Sequence, residues 1–189
     1  MDLLRGTGTT KDTVTIIACG IPVHDAILAA EEVAKEGISV RVLNAACVRP
    51  IDASAIIQAA LETTHLIVVE DHSSEGGLAT QVADVIADFQ LPCSLKRLGV
   101  NHYFPSGTDK DLKFLAGLDS DSIADAIRDE VSHEVPGGED AFVTAVYALG
   151  RNAQQSRFRE SIVQFVERAK TDKSYLQTLR DLWKSRGIP

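Results

Sequence analysis

Cysteine is scarce: three residues in 189, with no pair spaced as CxxC. Neither a zinc site nor a dithiol redox motif is therefore supported. Cys19, Cys47 and Cys93 are widely spaced, and Cys19 and Cys47 fall near the ends of apolar runs, as small buried hydrophobes do. No apolar run approaches the roughly 18 residues that a membrane span needs, and no signal peptide is apparent. A cytoplasmic protein that does not engage a membrane is the expectation. Basic charge is also short, with a net charge of −8. It is unevenly spread: residues 1–138 carry 21 acids against 10 Lys/Arg, a net of −11, and residues 139–189 carry 6 against 9, a net of +3. An acidic body repels phosphates, which argues against nucleic-acid binding. Neither a GxxxxGK-type phosphate loop nor a GxGxxG turn occurs, and spacing supports no Ser-His-Asp or Cys-His arrangement. His24, His65, His102 and His133 are scattered, as structural or exposed histidines would be. There is no internal repeat.

What is present is an apolar fraction of 44%, enough to bury a core. The chain is organised around one stretch. The run Leu66-Ile67-Val68-Val69 stops on Glu70, Asp71 and His72; a loop ending in Gly76-Gly77 follows; then Leu78, Val82, Val85 and Ile86 recur at helical spacing. This reads as a buried parallel strand, a loop at its carboxyl end, and a helix packing back on the sheet.

The rest fits that frame. Residues 1–12 read as a linker with a short edge segment at Leu3-Leu4. Thr13–Cys19 is β-branched and apolar, hence a central strand, and Pro22 opens a helix of about 22–36 that Gly37 stops. Residues 38–43 alternate as a strand nearer an edge would. Pro50-Ile51-Asp52 opens a second helix, and a fourth, more polar strand covers 94–98. A loop over 99–107 precedes helices of 109–116, capped by Thr108 or Ser106, and of about 121–131, capped by Asp119 or Ser120. Strands alternating with helices imply a doubly wound α/β domain with a mainly parallel sheet. At Val135-Pro136-Gly137-Gly138 the pattern breaks. Amphipathic helices are expected over 141–149, 157–169 and 172–184, so the chain divides into an α/β domain of 1–134 and a helical extension of 135–189.

In open α/β sheets the loops at the carboxyl ends of the strands are where ligands and partners sit. The candidate loop or interface residues are Glu70, Asp71, His72, Gly76, Gly77, Asn101, Ser106 and Gly107. Adjacent residues on a strand point to opposite faces, so Glu70-Asp71-His72 is a poor metal or acid–base set, and hydrogen bonding to the loop or a facing subunit is expected instead. Gly76-Gly77 before a helix can present backbone N–H groups to an anion, or simply allow a tight turn.

Several of these stretches resemble the C-terminal domain of transketolase. Thr15-Ile16-Ile17-Ala18-Cys19-Gly20, with Ala29-Ala30-Glu31-Glu32, resembles the family's first strand and helix. Gly37-Ile38-Ser39-Val40-Arg41-Val42-Leu43 followed by Arg49-Pro50-Ile51-Asp52 resembles its next segment. Val69-Glu70-Asp71-His72 with Glu75-Gly76-Gly77 resembles its "VEDH…EGG" signature, and Leu98-Gly99-Val100-Asn101, Ser106-Gly107 and Gly117-Leu118-Asp119 resemble its close. The resemblance implies a three-layer α/β/α domain with a mixed, mostly parallel five-stranded sheet whose antiparallel edge comes from the Leu3 region. It also implies a homodimer, thiamine diphosphate with magnesium, and transfer of two-carbon ketol units between sugar phosphates. In that family cofactor and catalytic residues lie in two other domains, so this chain alone is expected to bind no cofactor and to need missing domains or a partner subunit. Its own role would be structural, supporting the catalytic dimer. Two other readings remain open: a non-catalytic interaction module using the basic tail, and a regulatory domain that binds an anion at Gly76-Gly77.

Overall fold

The computed structural model describes residues 1–133 together with residues 172, 174, 175, 177, 178 and 181. Five strands, β1 (Asp2–Arg5), β2 (Val14–Cys19), β3 (Val40–Asn44), β4 (His65–Ser73) and β5 (Ser94–Val100), form one sheet in the order β1-β3-β2-β4-β5. Every neighbouring pair is parallel except β1 with β3. Between the strands lie α1 (Pro22–Ala34), α2 (Ala53–Thr63) and α3 (Leu78–Phe89), and α4 (Asp109–Ala116) and α5 (Ser120–Ser132) follow.

The period of two along each strand divides the apolar side chains into two cores. Val14, Ile16 and Ala18, with Val42, Ile67 and Val69, pack against α1 and α5. Ile17, Leu43, Leu66 and Val68 pack against α2 and α3. Ile16, Ile17, Leu66 and Ile67 have no exposed surface, and each such side chain contributes about 1.5–3 kcal/mol of burial. The result is the expected three-layer domain, with the Leu3-Leu4 segment laid antiparallel as the edge strand.

Asp52 caps α2 by accepting from the Ala55 N–H. Thr108 caps α4 in a reciprocal capping box with Asp111, and Asp119 caps α5. Each choice satisfies amide groups that a helix start leaves orphaned. The turn of α3 differs, because Gly77 has no side chain to offer.

Two expectations need correction. β3 lies one place in from the edge, between β1 and β2, as its alternation implied, and four of its five residues are buried. Its one charged residue, Arg41, is buried too, with Nε 3.1 Å from Asp12 Oδ2 and Nη2 2.7 Å from Glu62 Oε2. Residues 6–12 are accordingly not a slack linker. Asp12 accepts from the N–H groups of Thr7 and Gly8, each at 2.9 Å, and Arg41 donates to the Thr9 carbonyl at 2.7 Å. Burial would raise the Asp12 pKa, but these N–H groups and the guanidinium hold it below the usual carboxylate range. Finally, β4 and β5 run past their expected ends, to Ser73 and Val100.

The expected helices of 141–149 and 157–169 lie outside the described residues. Within 172–184, Ser174, Tyr175, Gln177, Thr178 and Asp181 are helical. Tyr175 packs beside the α2–α3 core, and its hydroxyl donates to Glu62 Oε1 at 2.8 Å.

Candidate functional site

The chain leaves β2 toward β3 on one side and returns to β4 on the other. The carboxyl ends of β2 and β4 are therefore the switch point of the sheet, and Cys19 pairs there with Glu70. Because side chains alternate along β4, Glu70 and Asp71 leave on opposite faces.

Glu70 turns toward α3. It is 1% exposed, and its carboxylate accepts from the Leu78 N–H at 2.7 Å and the Ala79 N–H at 2.9 Å. These are charge-assisted bonds at the positive end of a helix dipole, the arrangement that an external anion would otherwise adopt. Glu70 is thus the missing N-terminal cap of α3, supplied from the strand before it. The two N–H groups are already satisfied by the protein's own carboxylate, which favours the tight-turn reading of this glycine pair over an anion site.

The two glycines of the turn do different work. Gly76 has φ +81, a left-handed conformation, with open space where a side chain would be. Gly77 has an ordinary φ of −91 but no room: a Cβ there would lie 2.0 Å from Glu70 Oε2 and 2.9 Å from the Ser73 carbonyl. Glu70 and Gly77 are one structural unit.

Asp71 turns the other way and is exposed. It sits beside Gly20, where a Cβ would come 2.9 Å from its Oδ1. Among the described residues its carboxylate has no hydrogen bond and no ion pair. The neighbouring Cys19 thiol is pushed up to about 11 by burial and by the charges of Glu70 and Asp71, which makes it a poor nucleophile. His72 is exposed, with Nδ1 3.3 Å from the Ser73 carbonyl. Asn101, Ser106 and Gly107 are exposed on the loop between β5 and α4, and no hydrogen bond joins them to Glu70, Asp71 or His72. The structure therefore separates the candidates into a buried pair, an exposed carboxylate and a loop.

Sequence reasoning missed a cavity of about 210 Å³ at this same end of the sheet. Ile21, Pro22, Val100, Leu112, Ala116 and Leu118 form its apolar wall, with Asp71, Asp109, Lys113 and Phe104 also in contact with it. The signal was available in Ile21, an aliphatic residue 58% exposed directly before the proline that opens α1. A second hollow, of about 390 Å³, adjoins it and is bordered by Asp25, Asp109, Asp111, Asp119 and Asp121 as well as Lys110 and Lys113.

Among the described residues no three His, Cys, Asp or Glu side chains converge as a metal ion would require. With the α3 amide groups already taken, the described residues do not fit a magnesium-bound diphosphate. No described helix is long and apolar enough to cross a membrane.

Comparison with known proteins places these features. The family model for the transketolase C-terminal domain matches residues 7–123. An apulose-4-phosphate transketolase subunit of Actinobacillus succinogenes is 35% identical over 127 residues, covering 66% of this chain and 40% of that protein. The putative transketolase C-terminal section of Methanocaldococcus jannaschii is 39% identical over 124 residues, covering 65% and 38%. Human transketolase is 36% identical over 118 residues, covering 62% of this chain and 19% of its own. A split-gene transketolase solved as an inactive beta4 tetramer superposes with a TM-score of 0.63 at 32% identity, covering 69% of this chain and 42% of that one. The chain thus spans well under half the length of each of these relatives.

Proposed function

The chain belongs to the transketolase C-terminal domain family, and from that premise we propose that it serves as the C-terminal section of a transketolase-type enzyme. In that reading it is one part of an assembly that moves two-carbon ketol units between sugar phosphates. The observation that carries it is the family match over residues 7–123 in a chain that covers no more than 42% of the relatives compared. Thiamine diphosphate with magnesium would supply the electron sink for the chemistry, held by a partner subunit or by missing domains. This chain would contribute a rigid α/β body, with its loops at the carboxyl end of the sheet nearest the shared site. Assembly as a homodimer or with a separate subunit, and a cytoplasmic location, belong to the same proposal.

The test is ketol transfer from a ketose phosphate, with thiamine diphosphate and magnesium. The chain would be assayed alone and mixed with the thiamine-diphosphate-binding part of a transketolase from the same source. Turnover is expected in the mixture and not from the chain alone. Turnover by the isolated chain, or none in a mixture shown by sedimentation to have assembled, would refute the reading.

A second reading, a non-catalytic interaction module, draws support from four exposed apolar residues that follow the carboxyl ends of the strands. These are Ile21, Tyr103, Phe114 and Leu115, between 51% and 103% exposed. If that reading holds, a partner would bind and no combination of subunits would gain transferase activity.

A further inference from the structure

We propose that the apolar cavity at the switch point between β2 and β4 is a binding site for a small organic cation, an amine or guanidine on a compact apolar body. This inference stands apart from the transferase reading, since it rests on the chain's own cavity.

The size comes first. At about 210 Å³ the cavity is smaller than the roughly 300–1,000 Å³ of sites for drug-sized ligands, so the body is a single ring or a short aliphatic chain. Its wall of Ile21, Pro22, Val100, Leu112, Ala116 and Leu118 offers apolar contact and few hydrogen-bonding groups.

The sign of the charge follows from the groups that border it. Lys113 is already held, with Nζ 3.1 Å from Asp25 and 3.5 Å from Asp109. It does not neutralise Asp71, which has no ion pair among the described residues. Gly20, at φ +71, leaves the space that the Asp71 carboxylate occupies. The adjoining hollow adds Asp111, Asp119 and Asp121 against the single further cation of Lys110. A cation therefore meets an unspent carboxylate in an acidic field, and an anion would be repelled. The ligand would enter with its apolar end inward and its charged head against Asp71.

The test is a titration of the nitrogen-15-labelled full chain with benzylamine, benzyl alcohol and benzoate, followed by amide chemical shifts. Benzylamine is expected to give saturable shifts at Ile21, Val100, Leu112 and Leu118, with benzyl alcohol weaker and benzoate without effect. Asp71→Asn should weaken benzylamine by about fivefold, the ceiling for an exposed ion pair, and leave benzyl alcohol unchanged. Ala116→Leu should reduce binding of both by narrowing the chamber, while thermal unfolding reports that each variant remains folded. Benzoate binding as tightly as benzylamine, shifts scattered over the acidic surface without saturation, or no saturable shift at all would each overturn the proposal. So would full benzylamine affinity in Asp71→Asn.

Discussion

Adding one methyl group at Gly77 should unfold the start of α3 from within. In Gly77→Ala the new Cβ would lie 2.0 Å from Glu70 Oε2 and 2.8 Å from its Cδ, far inside any contact distance. The Ser73 carbonyl at 2.9 Å blocks retreat on the other side. The carboxylate must leave, and two charge-assisted hydrogen bonds go with it. Each such bond is worth about 1.5–3 kcal/mol, so the loss is about 3–5 kcal/mol after the expelled carboxylate regains some water. Gly76→Ala makes the internal comparison. It meets no atom within 4 Å but forces a side chain into the left-handed region at φ +81, which costs about 1–2 kcal/mol. The assay is urea unfolding followed by circular dichroism, with the m-value checked for constancy. In thermal terms Gly77→Ala should lose about 6–20 °C, since 1 kcal/mol moves Tm by about 2–4 °C at this chain length. A double-mutant cycle sharpens the argument: in a Glu70→Ala background most of the Gly77→Ala penalty should vanish, a coupling of about 2 kcal/mol or more. If Gly77→Ala costs no more than Gly76→Ala, or adds fully to Glu70→Ala, the account of the turn is wrong.

Arg41→Met removes the guanidinium shared by the buried carboxylates of Asp12 and Glu62, and should cost about 3–5 kcal/mol by denaturant titration. Loss of less than about 1 kcal/mol would show that the triad is not a buried charge network. Asp12, whose folded pKa is depressed, contributes stability that is present above its unfolded pKa of about 3.9 and is lost as pH falls through the folded value. The stability gap between the parent chain and Asp12→Asn should therefore be constant at neutral pH and shrink below about pH 4; a gap that widens with acid would reverse the sign of the argument. In a thiol titration at pH 8 the exposed Cys47 should react at once, and Cys19 and Cys93, raised to about 11 and about 12 by burial and nearby carboxylates, only on unfolding. Rapid labelling of the half-buried Cys93 in the native chain would contradict its raised pKa.

The layout of the domain was legible because its strands and helices carry unambiguous periods. Val14–Cys19 is too apolar and β-branched to be anything but central, and Gly37, Thr108 and Asp119 end or start helices for local reasons. What stayed hidden depends on partners distant in the chain. Glu70 and Asp71 look like the end of a strand, yet β4 runs on to Ser73, which pairs with Val100 of β5, and Glu70 finds its amide donors eight and nine residues later. Arg41 gives β3 the alternation of a strand near an edge, and only the folded chain brings Asp12 and Glu62 to it. Gly76 and Gly77 read alike as a flexible pair, though one is chosen for its dihedral angle and the other for its missing side chain. The cavity escaped notice because its wall is gathered from the start of α1, the end of β5, α4 and the turn between α4 and α5.

The antiparallel edge strand has a consequence for how such a domain can be parted from its neighbours. β1 spans Asp2–Arg5, whereas the family match begins at residue 7, so the segment that closes the sheet lies upstream of the matched module. A gene cut or an engineered junction placed at residue 7 would strip β1 from β3. Val42 and Leu43, now paired with it, would then sit on an unpaired and adhesive edge. A junction meant to yield a well-behaved separate chain has to fall ahead of Asp2, so that the severed piece carries its own selvage.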